Sequence, residues 1–118
     1  MLKTQNIILK SSGSQIRSYI YIADCASGIL TVLLNGEKGE AYNVANKGSI
    51  LTIAEFAEEV AKISGRKVVF ENLGGVSKIE QTPITRAVLN SSKIEALGWG
   101  AKYPINIGIE NIFKILGE

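Results

Sequence analysis

The order of strand-like and helix-like segments predicts an α/β fold for this 118-residue chain, and three observations carry that reading. Short β-rich runs (NIILK, RSYIYI, EAYNVAN, KVVF) alternate with segments whose apolar residues recur at helical spacing. Turn-forming Gly, Ser or Asn marks the changes of period. A hydrophobic content of 46% against 20% charged residues suits one core, so residues 1–118 are expected to form a single domain with short strands and about four helices.

The first run, Asn6 to Lys10, ends at the turn sequence SSGS. In the second, tyrosines and isoleucines alternate, putting Tyr19 and Tyr21 on one face and Ile20 and Ile22 on the other. The period then changes: Ile22, Ala26, Ile29, Leu30, Leu33 and Leu34 recur as one helical face. Asp24 is placed to cap that helix and Gly36 to end it in a left-handed conformation. EAYNVAN lies between Gly39 and Gly48 and reads as a buried strand, with Asn43 pinning backbone at its end.

From Leu51 to Gly65 the helix signals are the strongest in the chain. Thr52 and Glu55 match a capping box, Leu51 and Phe56 a hydrophobic staple, and Ile53, Phe56, Val60 and Ile63 are expected to face the core. KVVF is a further strand, and Glu71 to Thr85 reads as a long surface loop because of its Gly-Gly pair and Pro83. A helix capped by Asn90 or Ser91 and stopped by Gly98 follows, with Trp99 folding back over its last turn. The final helix is expected from Pro104, in first helical position, with Ile105, Ile109, Ile112, Phe113 and Leu116 inward.

Composition excludes several chemistries. A net charge of +2, without a Lys/Arg block, gives no broad field for nucleic acid or an anionic membrane, so any anion site must be local. The absence of histidine and the single cysteine remove the usual zinc sites, the histidine base and any internal disulfide, and no metal site is expected. Cys25 has no base beside it in sequence and reads as a packed thiol. No apolar stretch is long enough to span a bilayer and the first residues lack a signal-peptide core, so a cytoplasmic location is expected. Glu55, Glu58 and Glu59 lie beside Lys62 on a helix surface, where a solvated face is the ordinary reading. Arg17 and Arg86 stand at junctions between loops and ordered elements; a guanidinium held there can grip a phosphate through two parallel hydrogen bonds.

GSQIRSYIYIADCASGI, GEAYNVAN, TIAEFAEEVAKISG and RAVLNSSKIEALGW, in that order, resemble the C-terminal part of NAD-dependent nucleotide-sugar epimerases and dehydratases of the extended short-chain dehydrogenase/reductase family. The resemblance covers nearly the whole chain and implies a small C-terminal substrate-binding lobe of a Rossmann-type enzyme, lacking the N-terminal dinucleotide-binding part. That part carries the family's glycine fingerprint for NAD and its catalytic Tyr-x-x-x-Lys. Neither occurs here: Tyr19, Tyr21, Tyr42 and Tyr103 each lack a lysine four residues on.

The resemblance therefore implies no catalytic residue and no cofactor in this chain, with NAD expected in the full-length parent. The expected ligand is a nucleotide diphosphate sugar. Arg17 matches the arginine that holds its diphosphate, Gln15 a polar contact just before it, and Arg86 a second phosphate-directed arginine. Lys10 stands where relatives often place an aromatic on the nucleobase; a lysine could cover a base with its stem or meet a phosphate. Ser18 departs from the aspartate many relatives carry after the arginine. Tyr19 and Tyr21 are expected to pack rather than to catalyse. Alone, the chain is expected not to turn over substrate. An alternative is a non-catalytic binding module that self-associates into a homo-oligomer through an exposed sheet edge.

Overall fold

The computed structural model describes residues 5–71 and 84–117. Most of the loop expected over 71–85 lies outside them. Among the described residues five short strands and four helices follow in order: β1 Ile7–Leu9, β2 Ile16–Ser18, α1 Ile22–Asn35, β3 Ile50–Thr52, α2 Ile53–Ser64, β4 Val68–Phe70, β5 Arg86–Ala87, α3 Ser92–Glu95 and α4 Ile105–Leu116. They make two small sheets. β1 pairs in parallel with β4. β2 lies between an antiparallel β3 and a parallel β5.

Helix α2 forms as its sequence predicts. Thr52 Oγ1 accepts from the Glu55 amide at 3.0 Å, the Glu55 carboxylate accepts from the Thr52 amide at 2.8 Å, and Gly65 closes the helix with φ of 72°. Its most buried residues are Ala57 and Ala61, not the four larger ones expected to face the core. Small side chains let α2 approach α4, whose Ile109 is buried against it. Phe56 stacks on Tyr19, centroids 4.3 Å apart and 3° from parallel.

Helix α1 departs from expectation at both ends. Asp24 does not cap it: Tyr21 is the N-cap residue and makes no side-chain capping bond. Instead the Asp24 carboxylate is 2% exposed and accepts from the backbone amides of Lys102 at 2.9 Å and Tyr103 at 3.0 Å. Gly36 is extended rather than left-handed, with φ of −71°. It is required for space, because a Cβ there would stand 2.5 Å from the Val32 carbonyl oxygen.

Around α1 a second core forms from the fully buried Ile94, the buried Trp99 and Ala45. Trp99 does fold back, and its indole N–H donates to Ser27 Oγ on α1 at 2.9 Å. Gly28 permits this packing: a Cβ would lie 2.5 Å from Val44 and 3.3 Å from Trp99. Gly98 supplies the stop after α3 with φ of 93°.

Four further expectations are corrected. RSYIYI is a strand only through Ser18, because β3 ends there and its Ile50 is the last partner. EAYNVAN runs without a strand partner among the described residues, since none lies beside it. Ile29, Leu30, Leu33 and Leu34 of α1, and Ile112 and Leu116 of α4, are exposed rather than inward. Pro104 is the N-cap of α4 rather than its first helical residue. The described chain is correspondingly open: its radius of gyration is 16.8 Å, against about 13.5 Å for a compact domain of this length.

Candidate functional site

The turn before β2 is held from below by α2. Gly13 has φ of 66°, and its carbonyl accepts from the Ala54 amide at 3.0 Å, while the Gln15 carbonyl accepts from the Ile53 amide at 3.0 Å. A side chain at Gly13 would meet the Ala54 nitrogen at 2.8 Å, so only glycine allows this approach. With Thr52 Oγ1 taking the Glu55 amide, the first three amides of α2 are all occupied. The α2 N-terminus is thus a clamp on the turn, not an anion site.

That clamp fixes Gln15 and Arg17. Gln15 is buried, and its side-chain oxygen meets no hydrogen-bond donor among the described residues. Arg17 is half-buried; its guanidinium donates to the carbonyl oxygens of Ile16 and Ile84, each at 2.9 Å. Those bonds use two of five donors and leave three for a ligand. They also orient the plane of the group. Burial pushes the Tyr19 phenol above its ordinary pKa, with the nearby Arg17 charge pulling it down.

Arg86 is exposed on the edge strand β5. In the β2–β5 register Ile16 is opposite Arg86 and Arg17 opposite Ala87. Residues opposite one another share a face and neighbours alternate, so Arg17 and Arg86 leave the sheet on opposite faces. The structure brings the two arginines onto adjoining strands but does not aim them at one point across a shared face. Lys10 is exposed just after β1, in the other sheet.

Tyr19 and Tyr21 are packing residues, as the resemblance implies: Tyr19 lies on Phe56 and Tyr21 tilts against Tyr103 at 4.9 Å. They line a crevice of about 130 Å³ with Ile109 and Ile112. A cleft of about 680 Å³ lies between α2 and α4 and is lined by Lys62, Glu110 and Lys114 among others. None of Gln15, Arg17, Arg86 or Lys10 borders it. Asn43 donates to the Asn90 carbonyl at 3.3 Å, the backbone-pinning role its position suggests. Asp24 is the residue sequence reasoning misplaced; its spacing fits a cap equally well, and only the burial of residues 102–103 beside it reveals the clasp. No group of three or more metal-binding side chains occurs among the described residues. No described helix is long and apolar enough to cross a membrane.

The same arrangement of elements recurs in nucleotide-sugar enzymes. dTDP-glucose 4,6-dehydratase from Bacillus anthracis in complex with NAD superposes on 96% of this chain with a TM-score of 0.78 and 20% identity, using 34% of its own length. UDP-glucose 4-epimerase from Thermotoga maritima with UDP-glucose gives 0.74 over 97% of the chain at 19% identity, using 36% of its length. The fold is thus that of a portion of Rossmann-type α/β enzymes.

Sequence narrows the class. Residues 1–45 match the NAD dependent epimerase/dehydratase family. A probable GDP-L-fucose synthase from Oryza sativa subsp. japonica is 31% identical over 92% of the chain, and the dTDP-D-glucose 4,6-dehydratase of Mus musculus is 32% identical over 86%. The chain is thus similar in sequence to a portion of NAD-dependent epimerases and dehydratases. It spans about a third of the length of these relatives, 31% and 29% respectively.

Proposed function

We propose that residues 1–118 are the C-terminal nucleotide-sugar-binding lobe, a single domain, of an NAD-dependent epimerase, dehydratase or reductase, acting in the cytoplasm. The observation that carries this is the pairing of a buried, donor-seeking Gln15 oxygen with a fixed Arg17 guanidinium on one clamped turn. A diphosphate can accept from the Arg17 guanidinium, which keeps three donors beyond its two carbonyl bonds. Gln15 and Arg17 are two residues apart on an extended run and so present to the same face. Arg86 leaves β5 on the opposite face and Lys10 follows β1 in the other sheet, so neither joins Gln15 and Arg17 in this contact.

This role is positional. Fixing the diphosphate supplies binding energy remote from the reacting carbon, which holds the sugar in place for chemistry elsewhere. NAD would supply hydride transfer, but no residue of this chain matches its glycine fingerprint or the catalytic Tyr-x-x-x-Lys. No redox step belongs to these residues, and the chain by itself is inactive.

Isothermal titration with UDP, GDP and dTDP tests the reading. One of them binds the chain, and Arg17→Ala weakens that binding by about 10- to 100-fold, the loss of one or two charged hydrogen bonds. Unchanged affinity in Arg17→Ala refutes the assignment. A second reading, a non-catalytic self-associating module, draws on the exposed apolar face of α1. It predicts oligomers that bind no nucleoside diphosphate.

A further inference from the structure

The cleft between α2 and α4 lies apart from the Arg17 turn and has a charge pattern of its own. Glu59 of α2 shares a hollow of about 330 Å³ with Asn106 of α4, and Arg66, just past α2, shares the 680 Å³ cleft with Lys114, so the helices lie parallel with their C-termini at one end. That end is cationic. Lys62 and Lys114 stand in the last turns of their helices, and the half-buried Arg66 adds a third positive charge two residues past α2.

Cations at helix C-termini ordinarily offset the dipole and its open carbonyls. Here those carbonyls are largely served by other groups. The Ala61 carbonyl accepts from the Gly65 and Arg66 amides, the Val60 carbonyl from the Ser64 hydroxyl at 2.8 Å, and the Lys114 carbonyl from the Gly117 amide at 3.2 Å. Among the described residues neither Lys62 nor Lys114 makes an ion pair or a side-chain hydrogen bond, and the Glu110 carboxylate in the same cleft is paired with neither. Like charges gathered over one cleft repel, and an anion between them reverses the sign.

We infer that this cleft binds a small phosphate ester that carries hydroxyl groups. Its phosphate meets Lys62 and Lys114 within the field of Arg66, its hydroxyls donate to Glu110, and its C–H face packs on the half-buried Phe113 ring. The cleft volume suits a ligand the size of a hexose phosphate. A long polyanion is the poorer fit, because Glu110 and, in the adjoining hollow, Glu59 repel it. A bare inorganic anion leaves Glu110 without a donor.

The inference stands without the nucleotide reading, since none of the residues of that turn borders the cleft. Calorimetric titration of the 118-residue chain with glucose 6-phosphate, inorganic phosphate and glucose, at low salt, tests it. Glucose 6-phosphate should bind one-to-one and about tenfold more tightly than inorganic phosphate, and glucose should not saturate. Amide shifts on binding should centre on residues 62–66 and 110–114. Lys114→Gln and Lys62→Gln, both at exposed positions, should each weaken the ester about fivefold with unchanged far-ultraviolet dichroism. Glu110→Gln should narrow the gap between the ester and inorganic phosphate. Failure of glucose 6-phosphate to saturate at millimolar concentration overturns the inference, as does equal binding of inorganic phosphate. Amide shifts centred on residues 15–17 overturn it too, by assigning the phosphate to the Arg17 turn.

Discussion

Helices α1 and α2 both show apolar residues at helical spacing, yet only α2 is finished within this chain. α2 carries a reciprocal cap, a left-handed glycine stop and a buried seam of alanines. α1 has no side-chain cap, an extended C-terminal glycine and five large aliphatic residues facing outward. Capping and stop signals are local, so a sequence completes them by itself. A stripe of leucines is only half of a contact, and it says nothing of where the other half lies.

Substitutions at four positions test this contrast, from the largest effect to the smallest. Asp24→Ala strands two buried amides and should cost about 4 kcal/mol, read from the midpoint of urea unfolding; Asp24→Asn keeps one acceptor and should lose about half of that. Ile94→Ala empties the center of the α1 core and should cost about 3 kcal/mol in the same assay. Thr52→Ala removes one bond of the α2 capping box, for about 1 kcal/mol and a small fall in helicity. Leu34→Glu, on the outward face of α1, should change stability by less than about 0.5 kcal/mol. A large cost for Leu34→Glu in the isolated chain would mean that a second copy covers that face and would erase the distinction between the helices. On the binding side, Arg17→Ala should reduce diphosphate affinity more than Arg86→Ala, because Arg17 is held in place by two carbonyls and Arg86 is exposed on an edge.

Much of the fold was legible where neighbours in sequence decide the outcome. The α2 cap, the Gly65 and Gly98 stops, the short strands and the return of Trp99 all follow from residues a few places apart. The errors share a cause. Asp24 reads as a cap until residues 102–103 are brought beside it, and YNVA reads as a strand because its residues suit one, though no partner lies alongside. Ile112 and Leu116 recur at the spacing of Ile109 yet are exposed, because helical spacing does not say how much of a stripe a neighbour covers. The candidate site divides similarly. Position Arg17 follows from its motif, while the opposite facing of Arg86 depends on a register that only strand pairing sets.

The Asp24 clasp joins residues 78 positions apart. During synthesis the carboxylate emerges long before the amides it serves, so α1 stays without its clasp until residues 102–103 have been made. A nascent chain halted before Lys102 would keep that helix as a target for chaperones, and the amides of residues 102–103 act as the latch that ends the exposure of its inner side.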